Sequence, residues 1–404
     1  MSEWKKVKLG GVGQIITGKT PLTKVSSYYE GSIHFVSPAD LNSCDKNILC
    51  TAKTISDLGL QSIKGCTLPK RTICVSCIGN LGYIGITTME CASNQQINSI
   101  IVDKSIYDVD FIYYAIKNLW RYFKSQENQS TTISIINKST FSDIEICSPS
   151  FETQKKISSI LSSLDDKIAV NRKICENLEA QAQALFKHWF VDFAPFKDGK
   201  FVESELGLIP EGWRVGTLGE IVDFQNGYPF KSSQFVNSGT YKVITIKAVQ
   251  DGRLVTDGSD EINMLPSNIP SYCILKPEDI LLSLTGNVGR VCLVNQEGLV
   301  LNQRVCKLQA KDNKNRGIIY ALVRSKSMKK RMINLAKGTA QPNLSPKETS
   351  KLSIVIPPQK IFDCIVAILN EYLLKLVKCE QESLRLSTLR DTLLPKLMSG
   401  QIKV

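Results

Sequence analysis

The chain of 404 residues is long enough for two or three domains, each with its own core. Its 43% apolar and 22% charged content excludes a disordered chain, and no run reaches the roughly 18 apolar residues of a membrane span. Fifty Lys and Arg against 38 Asp and Glu give a formal net charge of +12 and a pI near 9.0, which points to a polyanionic partner, nucleic acid ahead of a membrane surface, with a merely basic enzyme as the alternative.

The opening MSEWKKVKLGG lacks the apolar core of a signal peptide, so a cytoplasmic location with no membrane partner is expected. The 13 cysteines are then expected as reduced, buried thiols. Residues 1–150 carry short β-rich runs between Gly, Asn, Pro and Ser turns, among them TICVSCIG (72–79) and INSIIV (97–102). Residues 151–193 change to a helical pattern. Ile157, Leu164, Leu178 and Leu185 fall at heptad spacing, flanked by Ile160, Leu161, Ile168 and Ile174. Asn171 takes the seam position between Leu164 and Leu178, where a lone polar residue fixes register at some cost in stability.

Residues 194–212 end in a run rich in glycine and proline and read as a linker. A second β-rich unit is expected over 213–357, with YKVITIKAV (241–249) and DILLSLTG (279–286) as strand segments. A second long helix covers 358–397. Ile365, Tyr372, Cys379, Leu386 and Leu393 form its seam, flanked by Ile368, Leu369, Leu376 and Leu389, and a tail of 398–404 follows. About 36 residues of helix extend roughly 55 Å. Two matched heptad helices in one chain pair most simply as an antiparallel coiled coil, a solvated amphipathic helix being the alternative.

The two halves are one unit written twice. Trp4, Leu9, Gly10 and Gly18 recur as Trp213, Leu218, Gly219 and Gly227. ICVSCIGNLG (73–82) recurs as ILLSLTGNVG (280–289), NQQI (94–97) as NQRV (302–305), and YYAI (113–116) as IYAL (319–322). INKSTFSDIEICSP (136–149) lies over LSPKETSKLSIVIP (344–357). An almost constant offset over this length indicates tandem duplication. The expected fold is therefore α+β, with two repeated globular β-rich domains separated by two long helices that pair antiparallel.

GQIITGKT (13–20) matches the phosphate-loop pattern G-x-x-x-x-G-K-[ST], which would make the chain a nucleotide hydrolase. The context opposes it. Gln14-Ile15-Ile16 reads as strand, and Pro21 bars a helix where the motif needs one. In the second copy Gly13, Lys19 and Thr20 become Val222, Tyr228 and Pro229, so the fold does not require them. Cys74-x-x-Cys77 has Leu281 and Leu284 as counterparts and no second such pair at zinc spacing, so both cysteines are expected in a core rather than on a metal. His34 and His188 are the only histidines, and neither belongs to a catalytic constellation. No catalytic residue, metal ligand or cofactor-binding residue is assigned.

Polar and basic turns repeated in both copies remain. Asn, Gln and Arg suit base edges, while Lys and Thr suit phosphates. The candidate DNA-binding residues of the first copy are Lys19, Thr20, Asn80, Gln95, Gln96, Thr131 and Lys138. Those of the second are Tyr228, Lys231, Asn287, Arg290, Gln303, Arg304, Gln341, Asn343 and Lys347. Ordinary turn chemistry is the alternative at each of them.

Two W-x-x-x-x-L-G openings, ALFKHWFVDF (184–193), LGLIPEGW (206–213), GTAQPNLS (338–345), IPPQ (356–359) and LRDTLLPKLMSGQIKV (389–404) together resemble the specificity (S) subunits of type I restriction–modification systems. The resemblance covers essentially the whole chain. The first copy departs from it at QSTTISII (129–136), which lacks the QPNLS form. The resemblance implies a non-catalytic DNA reader whose two globular units are target-recognition domains. Each would read one half of a split, asymmetric site in double-stranded DNA. The helices would set the spacer and dock two methyltransferase (M) subunits, with Phe186, Trp189, Phe190, Leu393 and Leu397 as candidate contacts, and restriction (R) subunits would join the complex. Cofactors are implied only on those partners: S-adenosylmethionine on M, ATP and Mg on R. An autonomous architectural DNA-binding protein is the rival expectation.

Overall fold

The computed structural model describes residues 4–128, 133–336, 338 and 342–404. They divide into two units, Met1–Ala169 with Leu384–Val404, and Val170–Ser383. In the first unit β1 (Gly13–Thr17), β2 (Asn47–Ile48), β3 (Ile73–Ser76), β4 (Ile84–Thr87) and β5 (Ile97–Val102) form a sheet in the order β1-β5-β3-β4-β2. The ICVS and IGIT runs of β3 and β4 are buried at every position, as short continuous apolar runs between turns predict for a strand covered on both faces. Ile73 and Val75 pack with Phe111, Tyr113 and Phe141 on one face, while Cys74 joins Val36 and Leu41 on the other. Burial pushes the Cys74 and Cys77 thiols up to about 12, so both are inert filler, as their leucine counterparts suggested. The pairing of Lys5–Lys8 with Glu145–Ser148 ties the start of the unit to the chain that leads into the first long helix.

The second unit repeats this plan. Following the first long helix, α1 (Phe151–Phe190), come β6 (Val222–Asn226), β7 (Ile280–Ser283), β8 (Val291–Leu293) and β9 (Val305–Ala310), in the sheet order β6-β9-β7-β8. The duplication holds at the level of register. Gly13 faces Val102 where Val222 faces Ala310, and Ile73 faces Ile100 where Ile280 faces Leu308. A parallel pairing also recurs, His34–Val36 with Cys91–Ser93 and Lys242–Ile244 with Leu299–Leu301.

The two long helices, α1 and α2 (Gln359–Met398), are 40 residues each, about 60 Å at 1.5 Å per residue. Within the second unit, Asn171 of α1 donates from Nδ2 to Glu382 Oε2 at 2.8 Å, and Cys175 lies against the Leu376 carbonyl. Numbers rise on one helix as they fall on the other, which makes the pair antiparallel. Asn171 is 1% exposed, the buried polar seam residue that the heptads predict. Within the first unit, Ile157 and Leu161 pack with Leu394, Leu397 and Met398. There the buried Asp165 accepts from the Tyr114 hydroxyl at 2.6 Å and from Arg390 Nη1 at 2.6 Å. In the second unit Glu380 is enclosed near Glu179, Arg253 and Asn295. Its Oε2 has no hydrogen-bond partner among the described residues, and burial pushes its carboxyl up to about 7.

Residues 194–212 are not a plain linker. Phe201–Ser204 and Gly207–Pro210 form a hairpin, closed by Gly207 at φ +95° and by the Ser204 hydroxyl donating to the Gly207 carbonyl at 2.6 Å. Of the turn residues that suggested a linker, Gly207 stands at the tip of this hairpin, Pro210 closes its second strand and Gly212 follows it, while its Ile209 is buried in the core of the second unit. The tail beyond Met398 is also packed, with Ile402 and Val404 against the first core and Gly400 beneath the Trp4 ring.

Candidate nucleic-acid interface

Strand β1 delivers Gly18, Lys19 and Thr20 at its end, and the chain beside them dictates their shape. Gly18 N–H donates to the Ile97 carbonyl and Lys19 N–H to the Ser93 carbonyl, each at 3.0 Å. A Cβ on Gly18 would stand 2.1 Å from the Asn94 carbonyl oxygen, and one on Gly227 would stand 2.1 Å from that of Asn302. Glycine recurs at this repeat position because the neighbouring backbone passes too close for any side chain. The phosphate-loop match is thereby overturned: GQIIT is strand, the next element is a short 3-10 turn at Ser26–Tyr28, and the Lys19 N–H is already committed.

Three further segments join this turn. Thr20 Oγ1 donates to Gln95 Oε1. Cys77 N–H donates to the Gln96 carbonyl (2.7 Å), Gly79 N–H to that of Ser134 (3.0 Å), and Ile136 N–H to that of Cys77 (2.8 Å). The turns at 18–20, 77–82 and 94–96 and the segment 133–136 therefore form one head at the end of the sheet.

The second unit builds the same head with the same bonds. Leu284 N–H donates to the Arg304 carbonyl (3.1 Å), Gly286 N–H to that of Pro342 (3.2 Å), and Leu344 N–H to that of Leu284 (2.8 Å). Tyr228 N–H donates to the Leu301 carbonyl and Gln303 N–H to that of Tyr228. Gly79 and Gly286 take φ of +79° and +69°, the left-handed conformation that turns the chain within each head.

The candidates divide by what their side chains already do. Lys19, Asn80, Lys138, Asn287, Gln303, Arg304, Asn343 and Lys347 are exposed, and among the described residues their side chains make no hydrogen bond or ion pair. Lys231 is also exposed, beside Ser232–Gln234. Thr20 and Gln95 bond to each other. Three candidates are occupied within the head, which corrects their reading as free tips. Gln96 Oε1 accepts from Asn94 Nδ2, Arg290 Nη1 donates to Gln250 Oε1, and the half-buried Tyr228 donates its hydroxyl to Asn268 Oδ1 at 2.8 Å. Thr131 and Gln341 lie outside the described residues.

Sequence reasoning missed the supports of the first head. Glu127 accepts from the Leu81 N–H, and Lys124, paired with Glu127, lies 4.3 Å from the centre of the Trp120 ring. It also missed Ile133 and Ile135, whose alternation with Ser134 and Ile136 is a strand signal too short to stand out.

The proposed docking aromatics need correcting as well. Phe186 and Phe190 are buried and stacked on each other at 5.1 Å, Phe190 packs on Trp213, and Trp189 packs on Phe196. Leu397 is buried and Leu393 lies against the first core. These residues hold their own unit together. The exposed apolar side chains of the long helices are instead Ile160, Leu384 and Leu389 in the first unit, and Val170, Ile174 and Ile368 in the second.

The family model described as the type I restriction modification DNA specificity domain matches residues 1–180 and again 210–385. The MjaIX specificity subunit of Methanocaldococcus jannaschii is 30% identical over 414 residues, covering 100% of this chain and 94% of its own. The HindI specificity subunit of Haemophilus influenzae is 25% identical over 474 residues and covers 100% of both chains. The crystal structure of the type I S subunit from M. genitalium shares the fold at a TM-score of 0.54, with 19% identity over 98% of this chain and 96% of that one. Two matches to one family domain, set on two units of matching register, place this chain in the specificity subunits of type I restriction–modification systems.

Proposed function

We propose that each unit reads one half of a split site in double-stranded DNA through its head, while the paired helices set the spacer and carry two M subunits. One observation carries this reading. The same backbone bonds rebuild the same head twice, while residues on it change from Lys19 to Tyr228, from Gln96 to Arg304 and from Ile135 to Asn343. A fixed scaffold with exchanged tips suits two different half-sites. Lys19, Lys138 and Lys347 supply phosphate contacts, and Asn80, Asn287, Gln303 and Arg304 face base edges. The exposed helix residues replace the buried aromatics as candidate M contacts, Ile160, Leu384 and Leu389 on the first unit and Val170, Ile174 and Ile368 on the second. Under this proposal the chain does no chemistry itself. S-adenosylmethionine belongs to M, which flips its target adenine out of the stack, and ATP with Mg belongs to R subunits that join later.

Matched seven-residue insertions in α1 and α2 test the ruler. Seven residues add about 10.5 Å of helix, or about three base pairs at ~3.4 Å each. Sequencing methylated adenines in cells carrying the complete complex should show both half-sites kept and the spacer longer. An unchanged spacer would overturn the ruler, and altered half-sites would overturn the separation of reading from spacing.

A further inference from the structure

We infer that the head of the first unit recognises thymine by its C5 methyl group, through Ile133 and Ile135; the inference rests on the DNA reading proposed above. Burial alternates along this segment. Ser134 and Ile136 face inward at 8% and 4% exposure, while Ile133 and Ile135 stand out at 67% and 62%. The Gly79–Asn80 turn is bonded to this segment through Ser134, and exposed side chains described on the same head include Lys19, Asn80, Gln95 and Lys138. That set of cations and amides fits the groove of a polyanion and does not fit an apolar protein surface. Among base edges in the major groove, the apolar feature is the thymine methyl.

The second unit supplies the comparison. Ile135 bridges Ile78 in the first head as Asn343 bridges Thr285 in the second, so the two residues hold the same place in the backbone. Asn343 is exposed like Ile135 and carries the amide that pairs bidentately with adenine. One scaffold position thus presents a methyl reader in the first unit and an adenine reader in the second.

The test uses the complete complex of this chain with its M subunits and a random-sequence duplex library, from which the bound site is selected and sequenced. Each thymine of that site is then replaced singly by deoxyuridine, which removes the methyl group alone. One or two replacements, all in one half-site, should weaken binding about fourfold each, the effect of losing one buried methyl group. The Ile133→Ala, Ile135→Ala double variant should bind the thymine and uracil duplexes equally, with its unfolding midpoint unchanged because both side chains are exposed. Ile135→Asn should shift the base selected at that position from thymine to adenine. If the complex selects a bipartite site and no uracil replacement matters, the methyl inference falls and the DNA reading stands. If the isoleucine variants weaken every sequence alike and 2-aminopurine reports unstacking, the residues act as a wedge and the inference again falls. If no bipartite site is selected, the proposed function itself falls.

Discussion

Replacing Glu380 by Gln is expected to stabilise the protein at pH 8 and to change it little at pH 5. The carboxyl sits on α2, facing Glu179 of α1, Asn295 and Arg253, with Cys175 and Cys292 also near, and its Oε2 has no hydrogen-bond partner among the described residues. Burial raises its pKa from the ordinary 4.5 to about 7, and Glu179 adds to the rise; the Asn295 hydrogen bond and Arg253 lower it by less. Below pH 4.5 the group is protonated in folded and unfolded chains alike, and stability is at its full value. Between 4.5 and 7 the folded chain still holds a proton that the unfolded chain has released, so stability falls as pH rises. Above 7 the loss levels off. The pKa gap of about 2.5 corresponds to about 3 kcal/mol. Gln keeps the shape and cannot ionise, and imperfect placement of its amide leaves a gain of about 1–3 kcal/mol at pH 8. For a unit of this size each kcal/mol raises the midpoint by about 2–4 °C. Thermal unfolding of parent and variant full-length chains at both pH values measures this directly. Equal shifts at the two pH values, or a loss at pH 8, would refute the reasoning.

Asp165→Ala leaves the Arg390 guanidinium and the Tyr114 hydroxyl buried without their shared acceptor, and it should cost about 3–5 kcal/mol in urea unfolding. Adding Arg390→Met should recover a large part of that loss, and a single-variant cost below about 1 kcal/mol would show that the pair is already solvated. Lys19→Ala and Lys347→Ala should each flatten the log–log salt dependence of DNA binding by about 0.9 for every phosphate left without its cation. An unchanged slope in both would remove these two side chains from the phosphate backbone.

Periodicity and repetition made the architecture legible in the sequence. The heptads of α1 and α2 and the buried seam Asn171 follow from spacing alone, and the repeat offset located matching turns before any register was known. Gly18 and Gly227 were visible as a pair, but their cause was not, because it lies in a carbonyl about 75 residues further along the chain. The docking aromatics went wrong for a related reason. ALFKHWF reads as an apolar stripe, and a stripe does not say whether its own chain or a partner covers it; Trp213 and Phe196 cover it here. The hairpin at 201–210 was lost because turn residues mark where a chain bends and not what the bend joins. Within the heads, spacing identified exposed positions, but Gln96 is held by its neighbour Asn94, and Tyr228 and Arg290 are held by Asn268 and Gln250, on loops that carry no repeat signal.

Trp4 against Gly400, and Asp165 against Arg390, bear on the order in which the protein is made. The second unit is one continuous stretch, Val170–Ser383, whereas the first needs Leu384–Val404 to cover Ile157 and Leu161. On the ribosome, the first unit emerges early yet keeps that apolar face open until the entire second unit has been synthesised. At about 5–20 residues per second, the wait is roughly 10–40 s. Through that interval the exposed face is a site for chaperone capture or for misjoining with another nascent chain.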